Sequence, residues 1–179
     1  VTAARPPAAI KTVAVIDIGT TSIRMAIGEI GETGSVRTLE TLSQAVSLGK
    51  DTFSDNVIRK STMEECVRVL RAYRNVVAQY RIKIPDNVRV VATSAVREAR
   101  NRLAFIDRVY IATGLVVDPI DEADVNRVTY LGVEPYLRNE PALANARTIV
   151  VEVGGGSTEL LLVVNGNVIS AHTFRIGSL

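Results

Sequence analysis

One pattern occurs twice in this chain and restricts its fold more than any other feature. Val15-Ile16-Asp17-Ile18-Gly19-Thr20-Thr21-Ser22 and Val151-Glu152-Val153-Gly154-Gly155-Gly156-Ser157 each read as a β-branched strand bearing a carboxylate, then a glycine and a hydroxyl-bearing turn. A second apolar run follows each time. Ile23, Met25 and Ile27 alternate with Arg24 and Ala26, and residues 160–164 follow Glu159, as in a returning strand. Glycine tolerates positive φ and lets another group approach the backbone. Such a turn can aim successive N–H groups at one anion. A carboxylate before or after it can hold a hydrated cation against that anion. Alone, either turn reads equally well as an ordinary glycine-rich bend. Two of them in one chain point to related half-sites facing a shared phosphate chain.

The rest of the sequence supplies the scaffold. Strands are expected at 13–18, 23–30 and 36–48, with a loop at 49–52. Ser61-Thr62-Met63-Glu64 reads as a capping box opening a helix, with Met63, Cys66, Val67, Leu70, Tyr73 and Val77 on one face. A buried strand over 88–92 runs into Thr93-Ser94, and a helix over about 102–113 ends at Gly114. A brief strand at 116–117 precedes a helix over 121–137 whose early acids suit the helix dipole. Asn165-Gly166-Asn167 is a strong hairpin turn. This order predicts an α/β fold: a β-β-β-α-β-α domain at 13–137, a polar linker at 138–147, and the opening strands of a second, similar domain at 148–179. Residues 1–12 form a loose lead.

Composition narrows the function classes. A net charge of +2 is too small to argue for nucleic acid. The single cysteine, Cys66, and single histidine, His172, exclude an internal disulfide and a His/Cys-rich metal site. Absence of an 18-residue apolar run argues against a membrane span, and the N-terminus lacks a secretory core, so a cytoplasmic protein is expected. The last residues stop within a pattern, so a longer parent protein is expected.

The paired turns resemble those of the actin-like ATPase and sugar-kinase superfamily, which has a ribonuclease H-like fold. Four segments resemble one family in particular, the exopolyphosphatases and guanosine pentaphosphate phosphohydrolases (Ppx/GppA). They are residues 17–24, residues 92–101 (Ala-Thr-Ser-Ala-Val-Arg-Glu-Ala-Arg-Asn), Tyr130-Leu131-Gly132-Val133, and residues 154–159, in the family's order. The resemblance implies two actin-like domains around a cleft, where water hydrolyses a terminal phosphoanhydride of inorganic polyphosphate or of guanosine penta- or tetraphosphate. It implies Mg2+ as cofactor and allows a homodimer of the full-length protein. Carried over residue by residue, phosphate contacts fall on Gly19, Thr20, Thr21, Ser22, Arg24, Ser94, Arg97, Gly154, Gly155, Gly156 and Ser157. Metal or water positioning falls on Asp17, Glu152 and Glu159.

The chain departs from the family pattern at three places. Glu152 stands where aspartate is usual, and Thr21 where asparagine or a similar residue is frequent. An ungapped alignment on Arg127, Tyr130, Gly132 and Val133 puts Asp124 and Val125 where the family has two glutamates, the second being its general base. Valine takes no proton. Asp124 or Glu122 then becomes the candidate substitute, beside Glu152 and Glu159 as catalytic carboxylates. A phosphatase is therefore expected with weakened turnover. Its rivals are a polyphosphate- or alarmone-binding signalling module and, less favoured because of residues 93–101, a kinase-like phosphotransferase.

Overall fold

The computed structural model describes residues 10–179, and its elements form two sheets with helices packed against each. The first sheet has the order β3-β2-β1-β4-β5, from β1 (Lys11–Ile18), β2 (Ser22–Ile30), β3 (Val36–Ala45), β4 (Val88–Ala92) and β5 (Val117–Pro119). Strand β1 is antiparallel to β2 and parallel to β4. Side chains alternate along a strand, so Ala14, Ile16 and Ile18 are buried on one face while Val15 and Asp17 occupy the other. The buried face meets α2 (Lys60–Gln79) and α4 (Arg102–Thr113) through Cys66, Val67, Leu70, Phe105 and Val109. Tyr73 Oη donates to the Ile23 carbonyl at 3.0 Å, giving a buried hydroxyl its partner. The α/β class matches expectation.

Several local expectations are corrected. Strand β3 stops at Ala45, and the expected loop at 49–52 lies inside helix α1 (Leu48–Asp55). The capping box does not form. Helix α2 begins at Lys60 behind Arg59, without a side-chain cap, and Glu64 instead accepts from Arg108 of α4 at 2.7 and 2.8 Å. Two bonds from a guanidinium outcompete the single backbone N–H a capping box would offer this carboxylate. Of the expected lead, residues 1–9 lie outside the described residues, and Lys11 and Thr12 belong to β1.

The second sheet has the order β6-β7-β8, from β6 (Arg147–Val153), β7 (Thr158–Val164) and β8 (Asn167–Phe174). Asn165 and Gly166 both take positive φ between β7 and β8, as the expected turn demands. The remaining helices are the one-turn α3 (Ser94–Arg97), which follows β4, and α5 (Glu122–Asn139) and α6 (Pro141–Ala144), which join β5 to β6 along the chain. Asp121 caps α5, its carboxylate accepting the Asp124 N–H at 2.8 Å. The expected linker is thus largely helical, and α5 runs through Pro135 to Asn139. Leu137 is buried with Leu161 and Val163, and Tyr130 and Val133 pack there too. Helix α5 therefore belongs with the second sheet by packing, and a boundary after Leu137 would cut this cluster.

Candidate active site

The two repeated turns are built alike down to their hydrogen bonds. In the first, Gly19 N–H donates to the Ser22 carbonyl at 3.0 Å; in the second, Gly154 N–H donates to the Ser157 carbonyl at 2.8 Å. Each closes a two-residue loop, Thr20-Thr21 in one and Gly155-Gly156 in the other. The flanking registers correspond as well: Asp17 stands opposite Arg24, and Glu152 opposite Glu159. The tips touch. A Cβ on Gly155 would lie 2.9 Å from Cβ and Cγ2 of Thr20. None of these turn glycines has positive φ. Glycine is required here for close approach rather than for backbone conformation.

Together the turns enclose a cavity of about 160 Å³, lined by Asp17, Gly19, Thr20, Thr21, Ser22, Arg24, Ser94, Arg97, Glu152, the three glycines, Ser157 and Glu159. All the phosphate and metal candidates read from the sequence meet in it, joined by Thr93 and Val125. Thr20 and Ser94 are buried with their hydroxyl oxygens 3.4 Å apart, although 74 residues separate them. Arg97 donates to the Ile120 carbonyl at 2.9 Å, and Arg24 Nε donates to Ser22 Oγ at 3.2 Å. Among the described residues, the N–H groups of Thr21, Gly155, Gly156 and Ser157 donate to no backbone carbonyl. The cavity thus gathers unused backbone donors and two guanidinium groups.

Three carboxylates line the same cavity. Asp17 Oδ1 is buried without a hydrogen-bond partner. Burial pushes the Asp17 carboxyl above its ordinary range; Arg24 opposes the shift and Glu152 adds to it. Glu152 accepts from Thr129 Oγ1 of α5. Glu159, only 3% exposed, accepts from Ser157 Oγ at 2.7 Å. An orphaned buried carboxylate oxygen fits a cation. Among the described residues no three His, Cys, Asp or Glu side chains form a cage for one ion. The donor set therefore fits a hydrated divalent ion that completes its shell with water and phosphate oxygen.

The remaining two catalytic candidates are elsewhere. Val125 and Thr129, four residues apart on one face of α5, reach the cavity and Glu152 respectively. Asp124 is turned away by one helical step, roughly 100°. It pairs with Arg127 at 3.4 Å and lines a neighbouring cavity. Glu122 faces a third cavity, with Arg97, Arg102 and Arg175. Sequence reasoning missed Thr93 and Thr129. The Thr-Ser pair at the end of β4 signalled the first; nothing in the local pattern signalled the second.

The Ppx/GppA phosphatase family matches residues 29–179 of this chain. The crystal structure of the Aquifex aeolicus member of that family is 31% identical, with a TM-score of 0.76 over 94% of this chain and 52% of that one. The crystal structure of an exopolyphosphatase from Cytophaga hutchinsonii is 25% identical, with a TM-score of 0.82 over 93% of this chain and 51% of that one. A bifunctional 3-dehydroquinate synthase/phosphatase of Fusobacterium nucleatum is 26% identical over 167 residues, which are 91% of this chain and 24% of that protein. The chain spans about half the length of those two solved relatives and about a quarter of that curated one. No helix among the described residues is long and apolar enough to cross a membrane. Its fold is actin-like, and with the match running from β2 to the last residue, the chain belongs to the Ppx/GppA phosphatase family.

Proposed function

We propose that the full-length protein hydrolyses a terminal phosphoanhydride, in inorganic polyphosphate or in guanosine pentaphosphate, in the cleft between the two turns. One observation carries this reading: unused N–H groups from both turns and an orphaned Asp17 oxygen share one small cavity. The terminal phosphate is gripped by the N–H groups of the turns, with Arg24 and Arg97 along the chain. Asp17, with its orphaned oxygen, would hold Mg2+, and Glu152 and Glu159 would reach it through its water shell; the ion when bound would neutralise charge on the phosphate oxygens. Water attacks the terminal phosphorus, the bridging P–O bond breaks, and the shortened chain leaves with that oxygen. The proton lost by water falls to Glu152 or Glu159, which line the cavity itself. The division between the two lobes falls near residue 120, ahead of α5, because α5 packs with the second sheet.

Val125 favours a second reading. It fills the cleft position from which a glutamate side chain would reach water, and it cannot act as a base. The protein then binds polyphosphate or the alarmone with little turnover. Phosphate release and equilibrium binding, measured on the full-length protein with Mg2+ and each substrate, separate the two. Release with multiple turnovers supports hydrolysis, binding without release supports the sensor, and neither would overturn both.

A further inference from the structure

We propose that the segments following the third strand of each half, residues 46–49 and 177–179, are matching braces that point the N–H groups of the turns into the cleft. This rests on reading the cavity as an anion site. In the first half, Gly49 N–H donates to the Thr20 carbonyl at 2.8 Å and Val46 N–H to the Thr21 carbonyl at 2.9 Å. In the second, Ser178 N–H donates to the Gly154 carbonyl at 3.0 Å and Leu179 N–H to the Gly155 carbonyl at 3.1 Å. Ile84-Pro85 is the sole cis bond among the described residues, so these turn peptides are trans. In a planar trans peptide the C=O and the following N–H point in opposite directions. Tying the Thr20, Gly154 and Gly155 carbonyls from behind therefore turns the N–H groups of Thr21, Gly155 and Gly156 the other way.

The cavities agree with that assignment. Thr21, Gly155 and Gly156 line the small cavity, while Gly177 and Leu179 line a different one across Gly155 and Gly156. The braces also touch each other: a Cβ on Gly49 would stand 2.1 Å from Thr20 Cγ2 and 2.7 Å from Leu179 Cδ1. Gly177 makes the closest approach to backbone atoms. A Cβ there would meet the Gly155 carbonyl oxygen at 2.3 Å and Gly156 N at 2.5 Å. Those are backbone atoms with little room to yield, so any side chain at 177 must lift the brace from the turn. Thr158 Oγ1, donating to the Ile176 carbonyl at 2.6 Å, anchors the segment just before it. These are positioning residues: they touch the groups that touch phosphate.

The test uses the full-length protein, with tripolyphosphate affinity by calorimetry and the thermal midpoint as parallel readouts. G177A lifts the brace, S178P removes one of its N–H donors, and S178A keeps that donor. We expect G177A and S178P to bind about tenfold more weakly or worse, as befits disorienting a charge-assisted contact. Their folded state should survive, and S178A should bind more tightly than S178P. If G177A does not fold, the S178P and S178A pair decides. Variants that bind like wild type, or S178A as weak as S178P, would overturn the brace. A wild type that binds no tripolyphosphate removes the anion site and this inference with it.

Discussion

Gly155 is the position where a single added carbon would press one turn against the other. Its missing Cβ would stand 2.9 Å from two Thr20 carbons, whereas ordinary contact begins near 3.4 Å. In G155A the tips must part by about 0.5 Å, the difference of those two distances. A phosphate spanning both turns at a typical N–H···O length of about 2.9 Å would then stretch one contact to about 3.4 Å, outside the useful range. A hydrogen bond to a charged group contributes roughly 1.5–3 kcal/mol, so affinity should fall about ten- to 150-fold. Ser157→Ala removes a hydroxyl whose proton already goes to the Glu159 carboxylate rather than to phosphate, so affinity should fall by no more than about fivefold. Calorimetric titration of tripolyphosphate into the full-length wild type, G155A and S157A measures both. Thr20→Gly in the G155A background removes the opposing carbons and should restore part of the loss. Equal affinities for wild type and G155A, a larger loss in S157A, or no recovery in the double variant would refute the close-approach argument.

Three other outcomes follow from the same geometry. V125E should speed phosphate release, by less than about a hundredfold because Glu152 also departs from the family pattern, while D124N should leave the rate unchanged; a loss in D124N would put the base back on that residue. The Asp17 carboxyl titrates above its ordinary 3.8 because of burial, so the folded chain keeps a proton the unfolded chain has lost, and stability declines as pH rises through the interval between 3.8 and the raised value. D17N should therefore melt higher than wild type at neutral pH without divalent cation, with the gap closing in acid and Mg2+ stabilising wild type alone; a pH-independent gap would contradict this. G114A should cost about 1 kcal/mol or somewhat more in chemical denaturation, since Gly114 ends α4 at φ +70° with its N–H on the Tyr110 carbonyl; no change in denaturation midpoint would count against a strained cap.

The parts of the fold that were readable in advance are those in which one local rule acts alone. Strand β4 and helix α4 were found at their observed bounds because an apolar run and a terminal glycine mark them without competition. Helix α1 escaped because eight residues containing Gly49 and two threonine or serine side chains carry little helical pattern; burial of Leu48, Gly49 and Thr52 against the turns holds it. The capping box at Ser61 failed because Glu64 had a distant arginine on offer, which spacing within one helix does not reveal. The site divides in the same way. Gly154, Gly155 and Gly156 announce a turn, but that Gly155 meets Thr20 is a fact of tertiary packing. The same holds for α5: its early acids were visible, yet which of Asp124, Val125 and Glu122 faces the cleft depends on how the helix rotates against the second sheet.

The equivalence of the two turns has a further consequence. A single strand–turn–strand unit clasping a second copy of itself about a two-fold axis would have to present the same side chain at each matching position, and one residue cannot both attract a phosphate and receive a proton. With both units written into one gene, that identity is lifted. The register position after the first turn now carries Arg24, and its counterpart after the second carries Glu159. The two turns can therefore carry opposite charges at that position while their backbones stay alike.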